Sequence, residues 1–296
     1  MLRKAGSRMP THPCAKPIQY LAAASALFCA IGHAQSSSPA GPAPQASPAS
    51  LHDTLLAKAT GLYYSTARAG LRNFDCQVHP DWARMMKSAR KGAALPDDDP
   101  KLALLKTVTI ALHADLKGDS SMDWKLPDHP QKPVDESQTA MVNQVHHGVE
   151  QTLGGWLKMW SPLVNGSLVE TLGEETSNVS EDASGYTLRQ KDRQELVTEI
   201  FDWGLVLKEF DVVSATTSNV NLRPGYQTTP QGLLPTTFAA EIRDPGASSQ
   251  SPAQKMNVDM DYQQVSGVQI PSRITIVMPD IVEMDFKLDG CTVNSR

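Results

Sequence analysis

From about residue 170 to the C-terminus the chain is written in period two. Met256, Val258, Met260 and Tyr262 alternate with Asn257, Asp259 and Asp261, and Val282, Met284, Phe286 and Leu288 alternate with Glu283, Asp285, Lys287 and Asp289. Alternation of this kind puts one set of side chains on a buried face and the other in water, as in antiparallel strands. "GYTLRQ", "ELVTEIFD", "LVLKEFDVVS", "NVNLR", "TTFAAEIRD" and "VQIPSRITIVM" extend the series, with turns at Gly267 and Pro279-Asp280. Short connections make neighbours in sequence neighbours in the sheet.

The first half reads differently. Leu55, Leu56, Ala59, Leu62, Tyr63 and Ala67 recur at helical spacing and predict a helix across 51–69. "LRNFDCQV" is a short strand. After Pro80 and Asp81 comes a basic helix with Trp82, Met85, Met86 and Ala89 on one face and Arg84, Lys87, Arg90 and Lys91 around the rest. Such a helix allows peripheral contact with a membrane, although a solvated charged face explains it as well. "DDDP" at 97–100 starts a new element. The β-branched run Thr107–Ile110 favours a strand, "KGDSS" a turn and "MDWKLP" a return strand. Asp135, with Gln138 three residues on, predicts the start of a helical insertion around 136–165. Gly154 and Gly155 are expected to weaken or break it. The expected fold class is α+β: a large curved antiparallel sheet, a half-barrel-like meander, with an N-terminal helix and a helical insertion.

The two ends of the chain define its compartment. Arg3, Lys4, Arg8 and Lys16 precede an apolar stretch from Ile18 to Ile31, and Gly32 and Ala34 lie at −3 and −1 before Gln35. This is the layout of a secretory signal peptide over residues 1–34, with too short an apolar stretch to span a bilayer. A retained anchor is the alternative. Residues 35–50, rich in Ser, Pro and Ala, form a flexible linker, and 51–296 a single domain. Of the four cysteines, Cys14 and Cys29 leave with the signal. Cys76 and Cys291 remain, and in an oxidising compartment they predict one disulfide between the first strand and the last; two separate buried thiols are the other reading. Removing four basic residues and no acidic ones from a chain of −5 leaves about −9. That acidity argues against a nucleic-acid partner and leaves apolar or cationic partners open.

The segment "MDYQQVSGVQIPSRITI", residues 260–276, is a strand, a Gly turn, then "IPSRI" and a second strand. It is similar to the closing hairpins of the periplasmic lipoprotein-carrier (LolA-like) half-barrel group. The layout of residues 51–296, with an N-terminal helix, a strand, an insertion and a long meander, resembles that group too. The resemblance implies an incomplete barrel around an apolar cavity, closed by helices, that holds acyl chains. It carries over no ligand-contacting residue.

On the residues themselves, Met256, Met260, Met278 and Met284 would suit an adaptable apolar ligand lining, although a Met stripe at strand spacing is more often plain core. Trp156, Met159 and Trp160 are candidates for a lid over a cavity, or core. His146 and Glu150 stand at i, i+4 on the predicted helix, without the second helical histidine of a zincin motif, so no metal site is assigned. Asp259, Asp261, Glu283, Asp285 and Asp289, interspersed with Lys255, Arg273 and Lys287, read as a salt-bridged wet face. No phosphate loop or nucleophile elbow is present, and the sequence names no catalytic residue and no cofactor. The leading expectation is an exported binding protein, in a bacterial periplasm, with a lipid, lipoprotein or other apolar ligand as its partner. A ligand-free β-rich envelope scaffold comes second, and a hydrolase-type enzyme third.

Overall fold

The computed structural model describes residues 50–295 apart from 90–91, 93–95, 97, 127–135, 175–176, 193–194, 215–217, 246–251 and 280. The signal segment and the linker up to residue 49 lie outside the described residues, as does the helix-starting Asp135.

Three strands come early: β1 (Leu71–Pro80), β2 (Thr109–Asp115) and β3 (Ser120–Lys125). Nine follow without a break by another element: β4 (Asn178–Glu181), β5 (Gly185–Asp192), β6 (Glu195–Asp202), β7 (Leu207–Ser214), β8 (Asn219–Thr229), β9 (Gly232–Arg243), β10 (Gln254–Val265), β11 (Val268–Met278) and β12 (Val282–Ser295). All twelve join in one sheet, in the order β3-β2-β1-β12-β11-β10-β9-β8-β7-β6-β5-β4, with every ladder antiparallel. The sheet curves without closing, and β3 and β4 are its edges. The alternation read from the sequence holds: Met256, Val258, Met260, Met284, Phe286 and Leu288 are buried while Asn257, Asp259, Asp261 and Lys287 are exposed.

The two separated parts of the sheet meet where β1 pairs with β12. Asp75 lies opposite Thr292 and Gln77 opposite Asp289, so Cys76 alone faces the pair Gly290–Cys291. This is a β-bulge, with Gly290 at φ +56° taking the left-handed conformation. Cys76 and Cys291 are joined by a disulfide across it. A second irregularity shapes the curve. β11 pairs with β12 only from Arg273 to Met278, because Pro271 supplies no N–H to continue the ladder. Gln263 on β10 reaches into the gap and donates from Nε2 to the Leu288 carbonyl at 2.9 Å.

Helices pack against the sheet. α1 (Leu51–Thr60) starts in a capping box formed by Ser50 and Asp53. It is shorter than the expected 51–69. From Leu62 onward the chain leaves the helix and becomes a strap across one end of the sheet. Tyr64 N–H donates to Leu233 O at 2.9 Å and Leu233 N–H to Leu62 O at 2.8 Å. The Tyr63 hydroxyl donates to Leu205 O and accepts from Leu207 N–H, both at 2.7 Å. Tyr64 Oη accepts from Gln269 N–H at 2.8 Å, and Thr66 N–H donates to Val164 O at 2.7 Å. These tertiary bonds to three hairpin ends and a helix outweigh the helical pattern of Leu62, Tyr63 and Ala67.

α2 (Trp82–Ala89) and α3 (Pro100–Lys106) follow β1, the latter capped by Asp99, whose side chain accepts from Lys101 N–H at 2.8 Å. α4 (Glu136–Asn165) is the helical insertion, and it runs unbroken through Gly154, Gly155 and Pro162. The expected break is therefore corrected. Leu153, Trp156, Leu157, Trp160 and Val164 are buried on one flank, and most helix stability in a protein comes from such packing rather than from propensity. α5 (Ser167–Glu170) and a 3₁₀ turn (Thr171–Gly173) return the chain to the sheet. Among the described residues no helix is long and apolar enough to cross a membrane.

Candidate functional site

Three regions hold side chains that could act on something outside the chain. The first is the outer face of β9–β12. Register places Thr237, Asp259, Thr275 and Asp285 in one row and Asp261, Arg273 and Lys287 in the next. α2 walls this face. Its Arg84 bonds Asp285 at 2.9 Å and also Glu283, while Arg273 grips both oxygens of Asp285, with Nε at 3.0 Å. The Arg273 guanidinium holds the Asp285 carboxyl below the usual carboxylate range against the opposing cost of burial, and Arg84 adds to the effect. Between α2 and the sheet lies an open polar cleft of about 670 Å³ that includes Arg84, Thr237, Asp259, Asp261, Arg273 and Thr275. The guanidinia are already committed to carboxylates, and the region reads as the salt-bridged wet face that the sequence predicts.

The second region is an aromatic stack between β3, α2 and α4. Trp82 meets Trp124 edge-on at 5.9 Å, and Trp124 stacks on His146 at 4.7 Å. Trp124 Nε1 and His146 Nε2 are buried without a hydrogen-bond partner among the described residues. Glu150 is exposed one turn further along α4, and His147 contacts Gln151 at 2.8 Å. Among the described residues no group of three or more His, Cys, Asp or Glu is placed to hold a metal ion.

The third region is the core face itself, where the candidate lining and lid residues lie. Met256, Met260, Met278 and Met284 are all buried there. Met278 Sδ accepts from Gln254 Nε2, and Met260 Sδ sits 3.8 Å from the Tyr262 hydroxyl. Trp156 and Trp160 are stacked at 5.7 Å, and Trp160 meets Phe74 edge-on at 6.2 Å. Trp160 Nε1 donates to Tyr262 Oη at 2.9 Å, and that hydroxyl donates to Pro235 O. Burial pushes the Tyr262 hydroxyl far above its usual range. The two tryptophans fill the trough over β1 and β10, and α4 occupies the place a ligand would take there.

Beside α4 the filling stops. A narrow apolar slot of about 40 Å³ runs between the helices and β6–β8. Val197, Phe210, Val212, Val220 and Leu222 form its floor, and Met159, Pro162, Leu163 and Leu168 its walls, with Glu195 at the rim. Met159, alone among the candidate lining and lid residues, lies on it. The four strand methionines do not. Their alternation was legible, but which of the buried strand faces is left uncovered depends on where α4 crosses the sheet.

Next to Val197 and Phe210 of this slot stands Glu199, which sequence reasoning missed. It shares a face of β6 with Val197, lies opposite Phe210 in register, and is 1% exposed. Its Oε2 is 2.9 Å from Thr171 Oγ1. Burial pushes this carboxyl up to about 8; the Thr171 hydroxyl works against the shift and the charge of Glu174 with it. "ELVTEIFD" is apolar at Leu196 and Ile200 as well as at Val197 and Phe201, so period two alone does not say which face is inside. Leu196 proves to be the exposed one.

No protein-family model, curated protein or solved structure matches this chain.

Proposed function

We propose that this chain is an exported cell-envelope protein that binds a lipid, a lipoprotein acyl chain or another apolar ligand in the trough of its half-barrel. The observation that carries the reading is the apolar slot beside α4, where nine apolar side chains from three strands and two helices converge around a single polar one. Ligand sites are concave and mostly apolar in this way. The slot is far smaller than the several hundred Å³ of a formed ligand pocket, so binding requires α4 or α5 to move away from β6–β8. The disulfide and the absence, among the described residues, of a membrane-crossing helix are compatible with export into an oxidising compartment.

One observation favours a second reading. Trp156, Trp160, Phe74 and Tyr262 pack the centre of the trough, as in a ligand-free scaffold that works through its surfaces. Native mass spectrometry of the mature protein, purified without detergent and followed by organic extraction, separates the two. Co-purifying acyl lipid is the expected result. A clean apo mass, together with no uptake of a fluorescent fatty-acid probe, would overturn the carrier reading in favour of the scaffold.

A further inference from the structure

Beside the slot runs a chain of hydrogen bonds whose protons can be counted. Thr171 Oγ1 lies 2.6 Å from Leu168 O and 2.9 Å from Glu199 Oε2. A hydroxyl has one proton to donate, and the Leu168 carbonyl has none. Thr171 either shares that proton between the two oxygens in a three-centre bond, or gives it wholly to Leu168 O and accepts a proton from a neutral Glu199. The second arrangement gives each oxygen a full bond and needs a protonated carboxyl, and the burial of Glu199 selects it.

The surroundings agree. Every element packed around Glu199 offers a neutral or acidic group. The 3₁₀ turn brings Thr171, and Glu174 just beyond it. The strap brings Tyr63, whose hydroxyl is engaged with Leu205 and Leu207, and β8 brings Tyr226, whose buried hydroxyl has no partner among the described residues. β5 brings Leu188 opposite Glu199, and Gln190, which donates to Glu174 Oε2 at 2.6 Å. β7 brings Phe210. Asp202, further along β6, is held by Lys208 at 2.8 Å. α1 contributes His52, but its Nδ1 faces Leu172 O at 2.9 Å. No lysine, arginine or histidine among the described residues contacts Glu199, so an ionised carboxylate there would be a buried charge without a counterion.

We propose that Glu199 is a protonation latch: as a neutral acid it holds the α5–3₁₀ turn against β6, and its ionisation releases that turn and widens the slot at Leu168. Leu168 connects the two events, because its carbonyl ends the hydrogen-bond chain and its side chain lines the slot. The latch stands on this geometry and not on what the slot binds.

The direction of the pH effect follows from linkage. With the turn closed, Glu199 holds its proton up to about 8; with the turn open, it is an ordinary carboxyl titrating near 4.3. The advantage of the closed turn is complete below the ordinary value. It shrinks about tenfold per pH unit as the pH rises toward the closed-state value, and it is flat beyond that.

Hydrogen exchange on the mature chain tests this. Between about pH 6 and about pH 8, after correction for intrinsic exchange, the protection of amides in 167–173 is expected to fall about tenfold per unit. In Glu199→Gln, whose neutral amide can still donate to Thr171, it stays level. Infrared spectroscopy of the wild-type protein needs no variant. A protonated carboxyl band at neutral pH that disappears in mild alkali supports the latch. Level protection in the wild type, or no such band at neutral pH, overturns it.

Discussion

Cys76 and Cys291, 215 residues apart in sequence, face each other across the β1–β12 ladder with Cα atoms 4.1 Å apart. The bond lies on the core face, where Cys76 is buried between Phe74 and Val78. The seam it crosses is the one ladder that joins the β1–β3 segment to the long meander. Non-reducing peptide mapping is expected to recover the two peptides joined. Replacing both cysteines by serine should lower unfolding free energy in urea by about 2–5 kcal/mol. Two free thiols, or a double variant as stable as the wild type, would remove the closure from any account of the fold.

Gly232 separates a conformational requirement from a steric one. Its φ is +119°, and an added Cβ would lie 2.6 Å from Tyr63 C and Tyr64 N. Those are backbone atoms of the strap and cannot rotate away. Gly267 also has a positive φ, +86°, but nothing lies within 4 Å of where its Cβ would be. Gly267→Ala should therefore cost about 1 kcal/mol, and Gly232→Ala distinctly more, with loss of the bonds from Leu233 to Tyr64 and Leu62. Equal midpoints of thermal unfolding for the two variants would show that the strap is not pinned at β9.

Asp285 governs the acid side of stability on the outer face. Its side chain is 8% exposed and is held by two guanidinia, and its carboxyl is depressed below the ordinary range mainly by Arg273. A depressed carboxyl stabilises fully above its unfolded value and loses that contribution as the pH falls through the folded one. Asp285→Asn should therefore destabilise at neutral pH, by about 1–3 kcal/mol, and approach the wild type at strongly acid pH. Parallel stability curves from pH 7 down to acid would refute the assignment.

The strand alternation, the disulfide and the basic α2 could be read from single positions because each depends on local periodicity or on a count. The course of α4 through Gly154, Gly155 and Pro162 could not. It depends on Trp160 finding Phe74 and Tyr262, partners 86 and 102 residues away in the chain. The strap was misread for the same reason, since Tyr63 and Tyr64 look helical until the hairpin ends at Leu205 and Gln269 claim their hydroxyls. The slot and Glu199 depend on which strand face α4 leaves bare, and that is a property of the assembled layers, not of any stretch of sequence.

The slot can be closed without touching the stacked tryptophans. Val212 and Val220 lie on adjoining strands and point into it, and both are nearly buried. Val212→Phe adds more volume than a slot of about 40 Å³ readily takes, so a cost of about 1–3 kcal/mol from overpacking is expected. The Trp160–Tyr262 bond and near-ultraviolet spectrum should be unchanged, because both groups sit on the other flank of α4. If an apolar ligand enters beside α4, this variant loses fatty-probe uptake while keeping its fold. If the ligand instead displaces the stacked tryptophans directly, Val212→Phe binds as the wild type does and Trp160→Phe alters uptake.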